Sequence, residues 1–193
     1  AGTRGGGDEV IARQTQTAWT SQVGLLYMPT PTLSVFANRT TSFLPVQGTS
    51  AEGLPLRPET GVQYEVGAKA LLVDGRLTLN GALFHLKRGN VAVSDRDSRS
   101  ALIAIGAQVA KGFELSASGR PVDGLSLYAG YAYTKAETTE DTNDALVGAP
   151  IRNIPKHSLV LRGDYEVRAG ALKGLFLRGS ATYLSAGAGD LEK

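Results

Sequence analysis

Gln63-Tyr64-Glu65-Val66-Gly67-Ala68-Lys69-Ala70-Leu71-Leu72-Val73-Asp74-Gly75-Arg76-Leu77-Thr78-Leu79-Asn80-Gly81-Ala82-Leu83 decides the fold. Before the turn, Tyr64, Val66, Ala68 and Ala70 alternate with Gln63, Glu65, Gly67 and Lys69. After it, Leu77, Leu79, Gly81 and Leu83 alternate with Thr78, Asn80 and Ala82. Successive side chains of a strand point to opposite faces, so a period of two reads as a strand with one apolar and one polar face. Asp74-Gly75 supplies the tight turn that a two-residue hairpin favours.

The same pattern continues in both directions and predicts eight strands. The first runs from about Thr17 to Met28, with Trp19, Ser21, Val23, Leu25 and Tyr27 on one face; Pro29 and Pro31 end it, because proline cannot donate to a ladder. The second covers Leu33 to Phe43, followed by a polar loop from Pro45 to Glu59. The hairpin quoted above gives the third and fourth, and a loop from Gly89 to Ser100 follows. The fifth ends with Phe113, Leu115 and Ala117 opposite Glu114, Ser116 and Ser118. The sixth sets Leu125, Leu127, Ala129, Tyr131 and Tyr133 against Ser126, Tyr128, Gly130, Ala132 and Thr134. A long acidic loop then covers about Glu137 to Pro155. The seventh carries Leu159, Leu161, Gly163 and Tyr165, and the eighth Leu175, Leu177, Gly179, Ala181 and Tyr183.

Two regularities set the class. Connections alternate short and long, as in outer-membrane barrels with short periplasmic turns and longer extracellular loops. The polar face also carries Glu65, Lys69, Glu114, Arg162, Asp164 and Arg178, which suits a polar lumen. The expected fold is therefore all-β: antiparallel transmembrane β-barrel strands forming an incomplete arc of a larger barrel. Residues 1–16 are expected as an extracellular loop or flexible start, 17–185 as the eight strands, and 186–193 as the start of an extracellular loop. By this topology the run starts and stops on the extracellular side, which favours a fragment over a whole barrel. Trp19, Tyr27, Tyr64, Tyr133 and Tyr183 near strand ends fit interfacial girdles, where an apolar ring and a polar tip both find partners.

Composition agrees. The 193 residues carry 20 basic and 18 acidic side chains, too balanced for a nucleic-acid partner. Mean hydropathy is -0.08, and no apolar run is long enough for a transmembrane helix. Alternating strands keep that average near zero even in a membrane. The absence of cysteine fits export through an oxidising periplasm.

Four segments resemble the TonB-dependent siderophore receptors: Leu56-Arg57-Pro58-Glu59-Thr60-Gly61-Val62-Gln63-Tyr64-Glu65-Val66-Gly67-Ala68-Lys69, the hairpin from Asp74 to Phe84, Ala129-Gly130-Tyr131-Ala132-Tyr133-Thr134, and the stretch from Val147-Gly148 to Ile154-Pro155-Lys156-His157-Ser158. Their order and spacing match as well. The resemblance implies a 22-stranded barrel in the bacterial outer membrane, in contact with its lipid and closed by an N-terminal plug. It also implies a ferric siderophore as cargo rather than cofactor, bound from outside, and energy from TonB acting on a short box before the plug. Plug, box and closing C-terminal strand are not recognisable in these residues, so TonB is expected to act through an N-terminal part of a parent protein.

No catalytic constellation is apparent, and the expectation is a receptor rather than an enzyme. His85 and His157 fall on different strands without the three or four converging ligands of a zinc site. Asp95-Arg96-Asp97 begins like a calcium loop but lacks the later ligands. Glu137, Glu140, Asp141 and Asp144 read as a polar loop before they read as a calcium site. Arg39 falls on the apolar face, where a mid-membrane arginine costs roughly 2–4 kcal/mol; an interfacial position or a register shift is expected. For the ligand, lumen-facing Tyr128, Arg162 and Arg178 suit an anionic or aromatic chelate. The competing reading is salt bridging within the lumen to Glu65, Asp164 and Glu166. The alternative function is a self-contained small outer-membrane barrel with a structural or adhesin role, and a soluble β-sandwich is the third reading.

Overall fold

A computed structural model of the chain describes residues 16–46, 50, 54–94 and 102–188. It contains eight strands: β1 (Gln22–Thr30), β2 (Leu33–Leu44), β3 (Glu59–Leu72), β4 (Leu77–Ser94), β5 (Leu102–Val122), β6 (Leu125–Glu140), β7 (His157–Glu166) and β8 (Phe176–Leu184). A single 3-10 turn, Asp144–Leu146, lies between β6 and β7. The strands form one antiparallel meander in sequence order, with β1 and β8 as its two ends. No pairing joins those ends among the described residues. The sheet is therefore an open arc, and the self-contained eight-stranded barrel is not the observed architecture.

Register fixes the faces. Tyr27, Val35, Ala68, Gly81, Leu115, Tyr131, Leu159 and Tyr183 are successive cross-strand partners and make one apolar row. The neighbouring polar row runs Ser34, Lys69, Asn80, Ser116, Gly130, Val160 and Thr182. Asp74 and Gly75 have φ of 51° and 80°, and the Arg76 N–H donates to the Val73 carbonyl at 3.0 Å. Two central residues with positive φ make the expected hairpin turn.

Burial decides between membrane and water. Among the described residues the buried apolar side chains are Leu56, Ala107 and Ala136, while Val23, Leu25, Val66, Leu83, Leu115 and Leu177 stand among the many exposed large apolar residues. The chain presents 13885 Å² of surface, against roughly 8,800 Å² for a compact soluble monomer of this mass. A soluble sandwich needs a second sheet over the apolar face, and the described residues form only one. Lipid is the solvent that accepts such a face without a protein partner.

Four boundaries differ from expectation, the first being the end of β1, which runs through Pro29 to Thr30 rather than stopping at Met28. The first strand starts at Gln22 rather than Thr17, so Trp19 lies in the coil before β1. Its face is therefore not set by strand alternation. The expected loop from Gly89 is strand as far as Ser94. Asn90 takes a φ of 55° and absorbs a register shift between Arg88 and Val91. The bulge lets pairing resume where Gly89-Asn90 reads as a breaker. Likewise β6 runs to Glu140, so Glu137 and Glu140 belong to a strand rather than to the acidic loop. Asp95-Arg96-Asp97 lies outside the described residues, as do most of the expected starting segment 1–16 and residues 189–193.

Candidate functional site

The inner, polar face holds the ligand candidates. Tyr128, Arg162 and Ser180 are cross-strand partners on β6, β7 and β8, and the next polar row sets Ser126, Asp164 and Arg178 side by side. Alternation alone places all three candidates on this face. Arg178 Nε donates to Asp164 Oδ1 at 2.5 Å, and Arg162 Nε lies 3.6 Å from Asp164 Oδ2. One carboxylate thus sits between two guanidinium groups. The competing salt-bridge reading holds for Asp164 but not for its other members: Glu166 pairs with Arg168, and Glu65 accepts from the Gln63 amide at 3.3 Å. Tyr128 leans along its own strand, its hydroxyl lying over Gly130, where an added Cβ would come within 2.9 Å of it.

Toward the long-loop end, Arg88 on β4 pairs with Glu59 on β3 and donates to the Gln108 side chain of β5 at 3.0 Å. The loop after β6 is shaped locally. Asn143 caps the 3-10 turn by accepting from the Ala145 N–H at 3.1 Å, while Asp141 accepts from the Asn143 N–H at 2.9 Å. Such Asx contacts serve turns. Among the described residues no group of three or more His, Cys, Asp or Glu gathers as a metal site. The acidic cluster is dispersed, because Glu137 instead pairs with Lys135 at 2.6 Å.

The outer face carries aromatic and basic side chains that inspection of strand centres overlooks. Phe113, Tyr131, Tyr133 and His157 form a cluster, with ring centroids 5.7 Å apart for Phe113–Tyr131 and 5.2 Å for Tyr133–His157. The Tyr131 hydroxyl and His157 Nδ1 are 2.8 Å apart. His85 and His157 sit on non-adjacent strands and share no ligand geometry. One register position toward the long loops lies the row Val23, Arg39, Tyr64, His85, Lys111 and Lys135. Lys87 stands on the same face, opposite Val62 and Val109. Carrying the alternation of β4, β5 and β6 two residues beyond their apolar centres would have found these cations.

Arg39 needs no register shift to explain it: Val23, Arg39 and Tyr64 pair regularly. Its guanidinium lies 5.8 Å from the Tyr64 ring centroid, and it donates to the Tyr64 and Ser21 hydroxyls, each at 3.4 Å. Near the interface an arginine costs only about 0–1 kcal/mol.

The model of the family described as TonB dependent receptor-like, beta-barrel, matches residues 1–191. The metal-pseudopaline receptor of Pseudomonas aeruginosa is 41% identical over 182 residues, which are 94% of this chain and 26% of that protein. Among solved structures, the alcaligin outer-membrane receptor of Bordetella pertussis superposes with a TM-score of 0.73 at 27% identity, covering 89% of this chain and 30% of that one. The pyoverdine receptor of Pseudomonas aeruginosa, bound to pyoverdine, gives a TM-score of 0.73 at 28% identity over 84% of this chain and 24% of that one. The chain thus spans about a quarter of the length of these three proteins.

Proposed function

Because the chain belongs to the TonB-dependent receptor-like β-barrel family, whose members are receptors of the bacterial outer membrane rather than enzymes, we propose that it forms part of the wall of a receptor importing a ferric siderophore or a related metal chelate. The observation that carries this reading is the two-faced open arc: one face apolar enough to need lipid, the other lined with ion pairs suited to a wet lumen. Relatives whose names specify pseudopaline and pyoverdine support a chelated metal as cargo.

In this reading the chelate enters from the long-loop side and TonB supplies energy from the periplasm through a plug. Tyr128 and the outward-reaching parts of Arg162 and Arg178 face the path, with Asp164 holding both arginines in place. Tyr27, Tyr64, Tyr133 and Tyr183 act as interfacial anchors. The test is uptake of radiolabelled iron, nickel and zinc, each supplied with a panel of chelators, in cells with and without the gene and with and without TonB. Loss of uptake of one chelate class in both mutants supports the proposal. Unchanged uptake of every chelate on deletion of the gene overturns it.

A further inference from the structure

We propose that the short-turn end of the sheet is a docking site for an acidic peptide segment of a periplasmic protein. This rests on the outer-membrane wall of the proposed function, which puts the short turns on the periplasmic side. The connections β3–β4, β5–β6 and β7–β8 each bring one arginine, at or beside the turn, to a single cavity of about 630 Å³. These are Arg76, Arg120 and Arg168, and all three are exposed. Asp123 is the one carboxylate among the residues that line the cavity.

The backbone is shaped to hold the three together. Gly119 has a φ of 153°, and an added Cβ would collide with the Arg76 carbonyl oxygen. Only glycine lets the β3–β4 and β5–β6 turns come this close. The Arg120 N–H donates to that same carbonyl at 2.7 Å. A bulge between the Gly119–Leu127 and Val122–Leu125 pairs frees Arg120 from regular alternation. Bulges re-aim side chains, and here Arg120 Nε donates to the Ser126 hydroxyl at 3.1 Å. Among the described residues Arg120 has no carboxylate partner.

The other two arginines are held only at the surface. Arg76 pairs with Asp123, which is 85% exposed, and Arg168 with Glu166 at 3.1 Å. Exposed pairs of this kind contribute little, so an incoming carboxylate replaces Asp123 or Glu166 at small cost. The spread of the cations selects the ligand. Three guanidinium groups on separate turns suit several carboxylates spaced along a chain better than one compact anion, and each can grip a carboxylate through two N–H donors. Val122 is the one large apolar side chain in the lining, too little to hold an acyl chain. Charge complementarity thus favours an extended acidic peptide over a lipid or a free anion.

The protein is purified in detergent from outer membranes, after fractionation has confirmed that it resides there. Binding is measured by fluorescence anisotropy with two labelled hexapeptides, one alternating glutamate with glycine and one alternating glutamine with glycine, and with inorganic phosphate as competitor. The glutamate peptide is expected to bind, and to bind more weakly as salt screens the exposed charges. The glutamine peptide should bind far more weakly, and phosphate should displace the glutamate peptide poorly. Arg120→Gln with Arg168→Gln should lower affinity for the glutamate peptide roughly tenfold. Arg120→Glu with Arg168→Glu should instead favour a peptide alternating lysine with glycine. Lys87→Gln, on the outer face at the opposite end of the sheet, should change nothing. Equal binding of the two hexapeptides, displacement by phosphate at equal concentration, full affinity in the double glutamine variant, or an equal loss in Lys87→Gln overturns the proposal. A protein absent from the outer-membrane fraction overturns the proposed function along with it; a resident protein that ignores the glutamate peptide overturns this inference alone.

Discussion

The two faces of the sheet distribute charge differently. On the inner face, charges occur along the strands and several are paired with each other: Asp164 with Arg162 and Arg178, Glu59 with Arg88. On the outer face the middle rows carry none, and the charges gather at the long-loop end as Arg39, Lys87, Lys111 and the Lys135–Glu137 pair. A single alternating code writes both faces, so the difference arises from the solvent each one meets. Water and paired side chains fill a lumen. Hydrocarbon penalises every charge, whereas its boundary tolerates them.

The sharpest way to break the comparison is to put one charge on each face at adjacent positions of β5. Leu115 lies in the apolar band between Phe113 and Ala117, and Ser116 faces Asn80 and Gly130 on the inner side. Leu115→Arg should destabilise the protein by about 2–4 kcal/mol, while Ser116→Arg should cost less than about 1 kcal/mol. Thermal midpoints of the two detergent-purified variants test this directly. Equal losses would mean that the faces are not solvated differently.

A smaller loss is expected where the inner face leaves no room. Gly112 lies against the neighbouring strand, and an added Cβ would approach the Tyr133 carbonyl oxygen to 1.8 Å and the Phe84 ring to 3.1 Å. Gly112→Val should therefore cost about 1–3 kcal/mol through overpacking and backbone displacement. The effect should appear in the thermal midpoint and in a slower return to the folded form from urea. Asp164→Ala tests the ion pairs. It strips both Arg162 and Arg178 of their partner, but the arginine side chains are half exposed, at 51% and 58%. The loss should be about 0.5–1 kcal/mol, shrinking in high salt.

How much of this was legible in the sequence follows from what sets each feature. Alternation is local, so strand number, the polar assignment of Arg162, Asp164 and Arg178, and the Asp74-Gly75 turn could all be read directly. Register is also nearly determined, because a slip of one residue exchanges the faces. Strand ends are different. Gly89-Asn90 looks like a breaker, yet a bulge and pairing with Leu102–Gly106 carry β4 past it, and no local pattern records that partner. Asp164 as the common partner of two arginines was among several candidate acids. Choosing it over Glu65 or Glu166 needed the register of β7 against β8. The outer cations were missed for a simpler reason: a lysine at a strand end reads as solvated loop until its neighbours across the sheet are known to be cations too.

The smallest effect concerns a position shared by neither face. Val73, beside the β3–β4 turn, has a φ of 52°. A β-branched residue is strained there, because the left-handed region crowds Cβ against the following carbonyl, at about 1–2 kcal/mol. Its side chain is half exposed, so little packing is returned. Glycine relieves that crowding but loses more freedom on folding, about 0.5–1 kcal/mol. Val73→Gly should therefore stabilise the protein by about 0.5 kcal/mol, the balance of these two terms. A slightly higher thermal midpoint, with Leu115→Arg and Ser116→Arg keeping their difference in that background, would show that turn strain and the asymmetry of the faces are independent. A lower midpoint would mean that Val73 contributes apolar contact with lipid near the turn, extending the outer face one residue further than the ladder does.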